Sequence, residues 1–134
     1  MDFDIINHHG LEVIEEALRA RPDIQIIVVD EGAEYRNSQT YKWTCLWNQA
    51  GPHTGRALWW MTGSPMPKGP EDIWAQAQMI NPGLVPTYFS RFRDDLMYKQ
   101  GNFRWVPRPG WEDRCYSMMQ PSIRYERDEC IDLP

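Results

Sequence analysis

The feature that most restricts the fold is the run Ile24-Gln25-Ile26-Ile27-Val28-Val29, followed at once by Asp30-Glu31. β-branched side chains are stiff in a helix and pack well on a pleated surface. Apolar residues at successive positions, rather than alternate ones, predict a strand covered on both faces, as in a parallel sheet. Parallel strands need crossovers, so helices must stand on either side of this run in the sequence.

The flanking segments meet that demand. Leu11, Ile14 and Leu18 recur at helical spacing in LEVIEEALRA, with Glu12, Glu15, Glu16 and Arg19 assigned to the opposite, polar face. Pro22 and Asp23 end that helix. A second helix runs through TYKWTCLWNQA, with Ser38 as its cap and Trp43 and Trp47 on one face. ALWWMTG is a further strand, whose adjacent Trp59 and Trp60 point to opposite faces, one to the core and one to a covering helix. A third helix follows in GPEDIWAQAQMI, with Pro70 at its start and Ile73, Ala77 and Ile80 as its stripe. With DFDIINHH as an opening strand the order is β-α-β-α-β-α: an α/β fold, a parallel sheet flanked by helices. Past Asn81-Pro82-Gly83 the C-terminal segment turns irregular. It holds a helix over 87–99, a loop or hairpin over 101–111, a short helix before Pro121 and a strand over 122–127.

Composition narrows the function classes. At 134 residues with 42% hydrophobic content the chain fits one domain. The absence of a long apolar run or a leader-like start argues for the cytoplasm and against a membrane. Cys45, Cys115 and Cys130 are odd in number and far apart, which fits reduced thiols. A net charge of −5 does not advertise a nucleic-acid binder. The charge is uneven, however: Arg91, Arg93, Lys99, Arg104 and Arg108 face only Asp94 and Asp95 in that stretch.

Chemistry in a parallel sheet gathers at the C-terminal strand ends. Asp30-Glu31 would place two acids there, as in sites that hold Mg²⁺ and orient a water. Met61-Thr62-Gly63-Ser64-Pro65 would end the next strand with hydroxyls and a glycine that permit close approach. Either segment alone is equally the polar turn after a buried strand. Their pairing across one helix is more specific.

These residues carry a family resemblance. IIVVDEGAEYRN is similar to motif II of SWI/SNF-type, superfamily-two helicase-like ATPases, above all bacteriophage-like versions, and MTGSPMPKGPEDIWAQAQMINPG to their motif III and its helix. DFDIINHHGLEVI resembles the segment around motif Ib, and SMMQPSIRYERDECIDLP the end of the first lobe. The resemblance thus covers 1–134 as part of one RecA-like lobe, from motif Ib onward. It implies that Asp30 binds Mg²⁺ through water, that Glu31 polarises the attacking water, and that Thr62, Gly63 and Ser64 couple bound ATP to DNA and a second lobe. Asn7 and His8 would lie near the DNA backbone. Gly32 and Ala33 replace the usual Ala and His of motif II.

The phosphate-cradling pattern G-x-x-x-x-G-K-[ST] does not occur in the chain. The resemblance therefore implies the latter half of a lobe, inactive alone. It would be completed by a separately encoded N-terminal half and second lobe, or would act as a non-enzymatic decoy for a host helicase or translocase. His8, His9, His53 and the cysteines show no zinc spacing. Trp105 and Trp111, near Arg104 and Arg108, would either stack on DNA bases or staple a loop over the sheet edge.

Overall fold

The computed structural model describes residues 3–125. Helix α1 (Gly10–Arg19) leads into strand β1 (Ile26–Val29), a 3₁₀ turn over Gly32–Tyr35, helix α2 (Tyr41–Ala50) and strand β2 (Ala57–Trp60). Helices α3 (Glu71–Ile80) and α4 (Phe89–Leu96) follow, then strands β3 (Met97–Gln100) and β4 (Arg104–Pro107) and helix α5 (Trp111–Met118). The fold is mixed α/β, with a two-stranded parallel sheet, β1 against β2, and a separate antiparallel hairpin, β3 against β4. Among the described residues no helix is long and apolar enough to cross a membrane.

The parallel pair sets Ile26 opposite Ala57 and Val29 opposite Trp60. Ile27, Val29, Leu58 and Trp60 pack into a core with Leu11, Tyr35, Cys45, Leu46, Ala50 and Met79, from α1, α2, α3 and the 3₁₀ turn. A second core joins Ile73 and Ala77 of α3 to Val85, Phe92, Leu96, Met97, Cys115 and Met119, with Trp74, Trp105 and Trp111 against it. Cys45 and Cys115 are free and buried. Burial raises both thiols, that of Cys115 to about 12.

Arg56, just before β2, ties the first half together. Its guanidinium donates to the carbonyls of Leu18, Arg21 and Gln49 and to the Gln49 side chain. Leu18 is in the last turn of α1, so the cation meets a carbonyl at the negative end of a helix dipole.

Several expectations are corrected. Residues 3–8 form no strand: Phe3 and Ile5 are exposed, and among the described residues no ladder partner lies beside them. The order is thus α-β-α-β-α-α before the hairpin. β1 is covered on one face only, because Ile26 and Val28 are 47% and 53% exposed, and Trp59 opposite Val28 is exposed too. No helix covers Trp59 among the described residues. Thr40, not Ser38, caps α2 by accepting the Trp43 amide at 3.2 Å.

Glu15 is buried, not on a polar face. The expected helix over 87–99 ends at Leu96, because Met97 turns extended (φ −133°, ψ 162°) to pair with Pro107. Of the expected 122–127 strand, 122–125 is non-strand, and 126–127 lies outside the described residues, as does Cys130.

Candidate functional site at the parallel strand ends

The two turns that follow β1 and β2 meet. Beyond the last paired residues, Met61 N–H donates to Val29 O (2.9 Å) and Gly32 N–H donates to Met61 O (2.7 Å). Between these bonds Glu31 is forced left-handed, at φ 51° and ψ 57°. It is the sole non-glycine with positive φ among the described residues. Such a conformation costs an L-residue about 1–2 kcal/mol, so its surroundings must enforce it.

The enforcing contact is at Gly32. A Cβ there would stand 2.0 Å from the Trp60 indole nitrogen, so the ring lies flush against bare backbone. Trp60 is held in turn: its Nε1–H donates to Gln76 Oε1 at 3.3 Å, and Gln76 Nε2 donates to the carbonyls of Pro65 and Asp72 at 2.8 Å each. Gln76 is completely buried, so its amide ties α3 to the end of β2 and to the turn that follows it. Tyr35 meets Trp60 edge-on at 5.9 Å.

On this frame Thr62 Oγ1 donates to Glu31 Oε1 at 3.0 Å, and Ser64 N–H donates to Thr62 Oγ1 at 3.4 Å. Asp30 Oδ1 accepts the Glu31 amide at 2.9 Å. Both carboxylates face solvent and each keeps an oxygen without a hydrogen bond. Gly63 is exposed with open space where a Cβ would go, so the close approach expected there occurs at Gly32 instead.

The other candidates named from the sequence lie elsewhere. Asn7 lies two residues before the N-cap of α1, and its Oδ1 accepts the Gly10 amide at 2.6 Å. His8 Nδ1 shares a hydrogen bond with Tyr35 Oη at 3.0 Å, which holds it beside the turn that follows the acids. Arg104 and Arg108 belong to the hairpin and make no hydrogen bond or ion pair to the acid turn. Arg108 donates to the carbonyls of Met97 and Asp94, so it braces the hairpin base.

A Mg²⁺ ion fits the chemistry of the turn: hard oxygen donors, one or two carboxylates, and room for water. Among the described residues no group of three His, Cys, Asp or Glu side chains stands ready to cage a metal, so phosphate oxygens or water would have to supply most ligands. A hollow of about 650 Å³ lies at the opposite end of the sheet, by Ile26 and Ala57, and its cations are already engaged, Arg56 with carbonyls and Arg19 with Glu15.

Sequence reasoning missed Trp60, Gln76 and Gly32 as the frame of this site. A glycine three residues past the end of a strand and a bulky aromatic ending the next were the available signal. Glu15 was missed as well. Its carboxylate accepts from Asn48 Nδ2 (2.9 Å), Arg19 Nη2 (3.0 Å), Tyr41 Oη (3.1 Å) and Cys45 Sγ (3.2 Å). The Asn48 and Cys45 hydrogen bonds hold it below the usual carboxylate range despite burial.

Comparison with known proteins returns no match of any kind: no protein family, no curated protein and no solved structure resembles this chain at significance.

Proposed function

We propose that this chain is part of a RecA-like lobe of a helicase-like, DNA-dependent ATPase, supplying the acids of a nucleotide site whose phosphate-binding loop comes from another segment or polypeptide. The observation that supports this reading best is the hydrogen bond from Thr62 to Glu31, which couples two parallel strand ends 31 residues apart. Asp30 would hold Mg²⁺ by way of water, and Glu31 would orient the attacking water. Thr62 and Ser64 would pass the state of that carboxylate to the loop before α3. Gly63 would leave this loop free to move.

The test is reconstitution. The purified chain alone should hydrolyse no ATP, with or without duplex DNA. Adding a polypeptide that carries G-x-x-x-x-G-K-[ST] should restore hydrolysis, and Glu31→Gln should abolish it. Hydrolysis by the chain alone, or a Glu31→Gln variant that keeps full reconstituted activity, would refute the assignment.

One observation favours a second reading, a non-enzymatic binding protein. Ile26, Val28, Trp59 and Met61 present an uncovered apolar sheet face, and parallel sheets are rarely left bare. A partner that buries this face, such as a host translocase, would make the acids incidental. Partner capture unaffected by Asp30→Ala and lost with Trp59→Ser would decide for that reading.

A further inference from the structure

The hairpin carries a pattern that the nucleotide reading does not use. From Leu96 to Trp111 there is no acid, while Lys99, Arg104 and Arg108 are present, in a chain of net charge −5. The nearest acids, Asp94, Asp95, Glu112 and Asp113, lie at the base of the hairpin, in α4 and α5. The turn that joins the strands runs through Gly101, whose φ of 68° suits a glycine, and ends at Phe103. Phe103 is 96% exposed, the most exposed large apolar side chain among the described residues.

Register then fixes the surroundings of that ring. Lys99 pairs with Trp105 and Gln100 pairs with Arg104. Directly opposed residues share a face and neighbours alternate, so Lys99 and Arg104 project from opposite faces of the ribbon, on either side of the tip. Tyr98, 40% exposed, stands on the Arg104 face. The other face is anchored: Trp105 packs on the second core, and the Arg93 guanidinium lies 3.9 Å from its ring centre. Arg108 fixes the base through its carbonyl bonds and sits over Tyr98 at 5.9 Å. A rigid base thus presents one bare aromatic ring with a cation on each side.

We propose that the β3–β4 hairpin binds single-stranded nucleic acid, with Phe103 stacked on an unpaired base and Lys99 and Arg104 on the phosphates to either side. An aromatic ring accepts any base face, and its cations meet the charge repeat of the backbone. The strand must be single, because a duplex hides its base faces. Charge decides against a protein partner of mixed surface: an acid-free cationic tip on an acidic chain complements a polyanion. The inference stands apart from the nucleotide reading, since it uses none of the acid-turn residues and its test needs no hydrolysis.

The experiment titrates the full chain into a fluorescein-labelled thymidine dodecamer at about 50 mM salt, read by anisotropy, and repeats it at about 200 mM. Phe103→Ala should weaken binding about tenfold while Phe103→Trp retains it. Lys99→Glu with Arg104→Glu should weaken it further and lower the salt slope by about 0.7 for each lost phosphate contact. All these side chains are exposed, so the thermal melt should not move. The proposal fails if the chain does not bind the oligonucleotide or if a duplex of equal length binds as tightly. It also fails if Phe103→Ala leaves affinity unchanged or lowers only the sedimenting mass, which would mark a contact between copies of the chain.

Discussion

Two glutamates in the first half of the molecule occupy opposite circumstances. Glu15 lies between α1 and α2 with donors from four side chains around its carboxylate, and Gln49 donates to its backbone oxygen. Glu31 projects at the sheet edge on a left-handed backbone, with one side-chain donor, Thr62. The first is a buried charge whose hydrogen-bonding capacity is filled, so it can contribute only to stability and to the pairing of two helices. The second retains accessible lone pairs and sits on strained backbone, the condition in which a carboxylate can take a new partner. Number of partners, more than residue type, separates the satisfied acid from the available one here.

The contrast can be broken in order of expected effect. Gly32→Ala should be the most damaging change, costing about 3 kcal/mol, because the new methyl must displace the Trp60 ring. A urea midpoint close to the parent would show that the ring does not enforce the Glu31 conformation. Glu15→Ala should cost about 2 kcal/mol in the same measurement, since Asn48, Tyr41 and Cys45 lose a shared acceptor. Glu15→Gln should cost less, because one acceptor oxygen remains.

The acid limb sharpens this further. Glu15 is held below its ordinary value of 4.5, so the unfolded chain binds its proton more readily than the folded one. The stability it confers is therefore complete above about 4.5 and declines as pH falls through the lower folded value. Glu15→Gln should flatten that decline, and a parallel curve for the two proteins would contradict the assignment. The smallest effect belongs to Glu31→Gly. Relief of the left-handed strain opposes loss of one exposed hydrogen bond, so stability should change by less than about 1 kcal/mol. A larger loss would place Glu31 with Glu15 as a structural residue.

Much of the first half is legible in the sequence because its signals are redundant. The β-branched run, the Trp43–Trp47 spacing and the stripe of α3 all point the same way, and they recover β1, α2, β2 and α3 within a few residues. The same reasoning finds the acid turn and its partner turn, because both follow strand ends. It fails where charge is taken as a proxy for exposure. Glu15 occupies the same face as Leu11 and Leu18, one turn along from each, and donors contributed by α2 allow it to be buried.

It fails again where a strand depends on a distant partner. Residues 3–8 have strand composition yet no neighbour to pair with among the described residues. Met97-Tyr98-Lys99 continue a helical pattern that the pairing to Arg104–Pro107 overrides. The frame of Gly32, Trp60 and Gln76 leaves only a faint sequence signal for a related reason: each residue is ordinary alone, and only their contact carries its full meaning.

Helix α3 has a consequence for how the molecule comes apart. It gives Ile73 and Ala77 to one core and Met79 to the other, and accepts the Trp43 indole proton at Ala75 O, 3.1 Å away. Each core therefore lacks a wall once the other has melted. The two halves should share a single unfolding transition, with α3 amides the last to exchange with deuterium and the hairpin tip among the first.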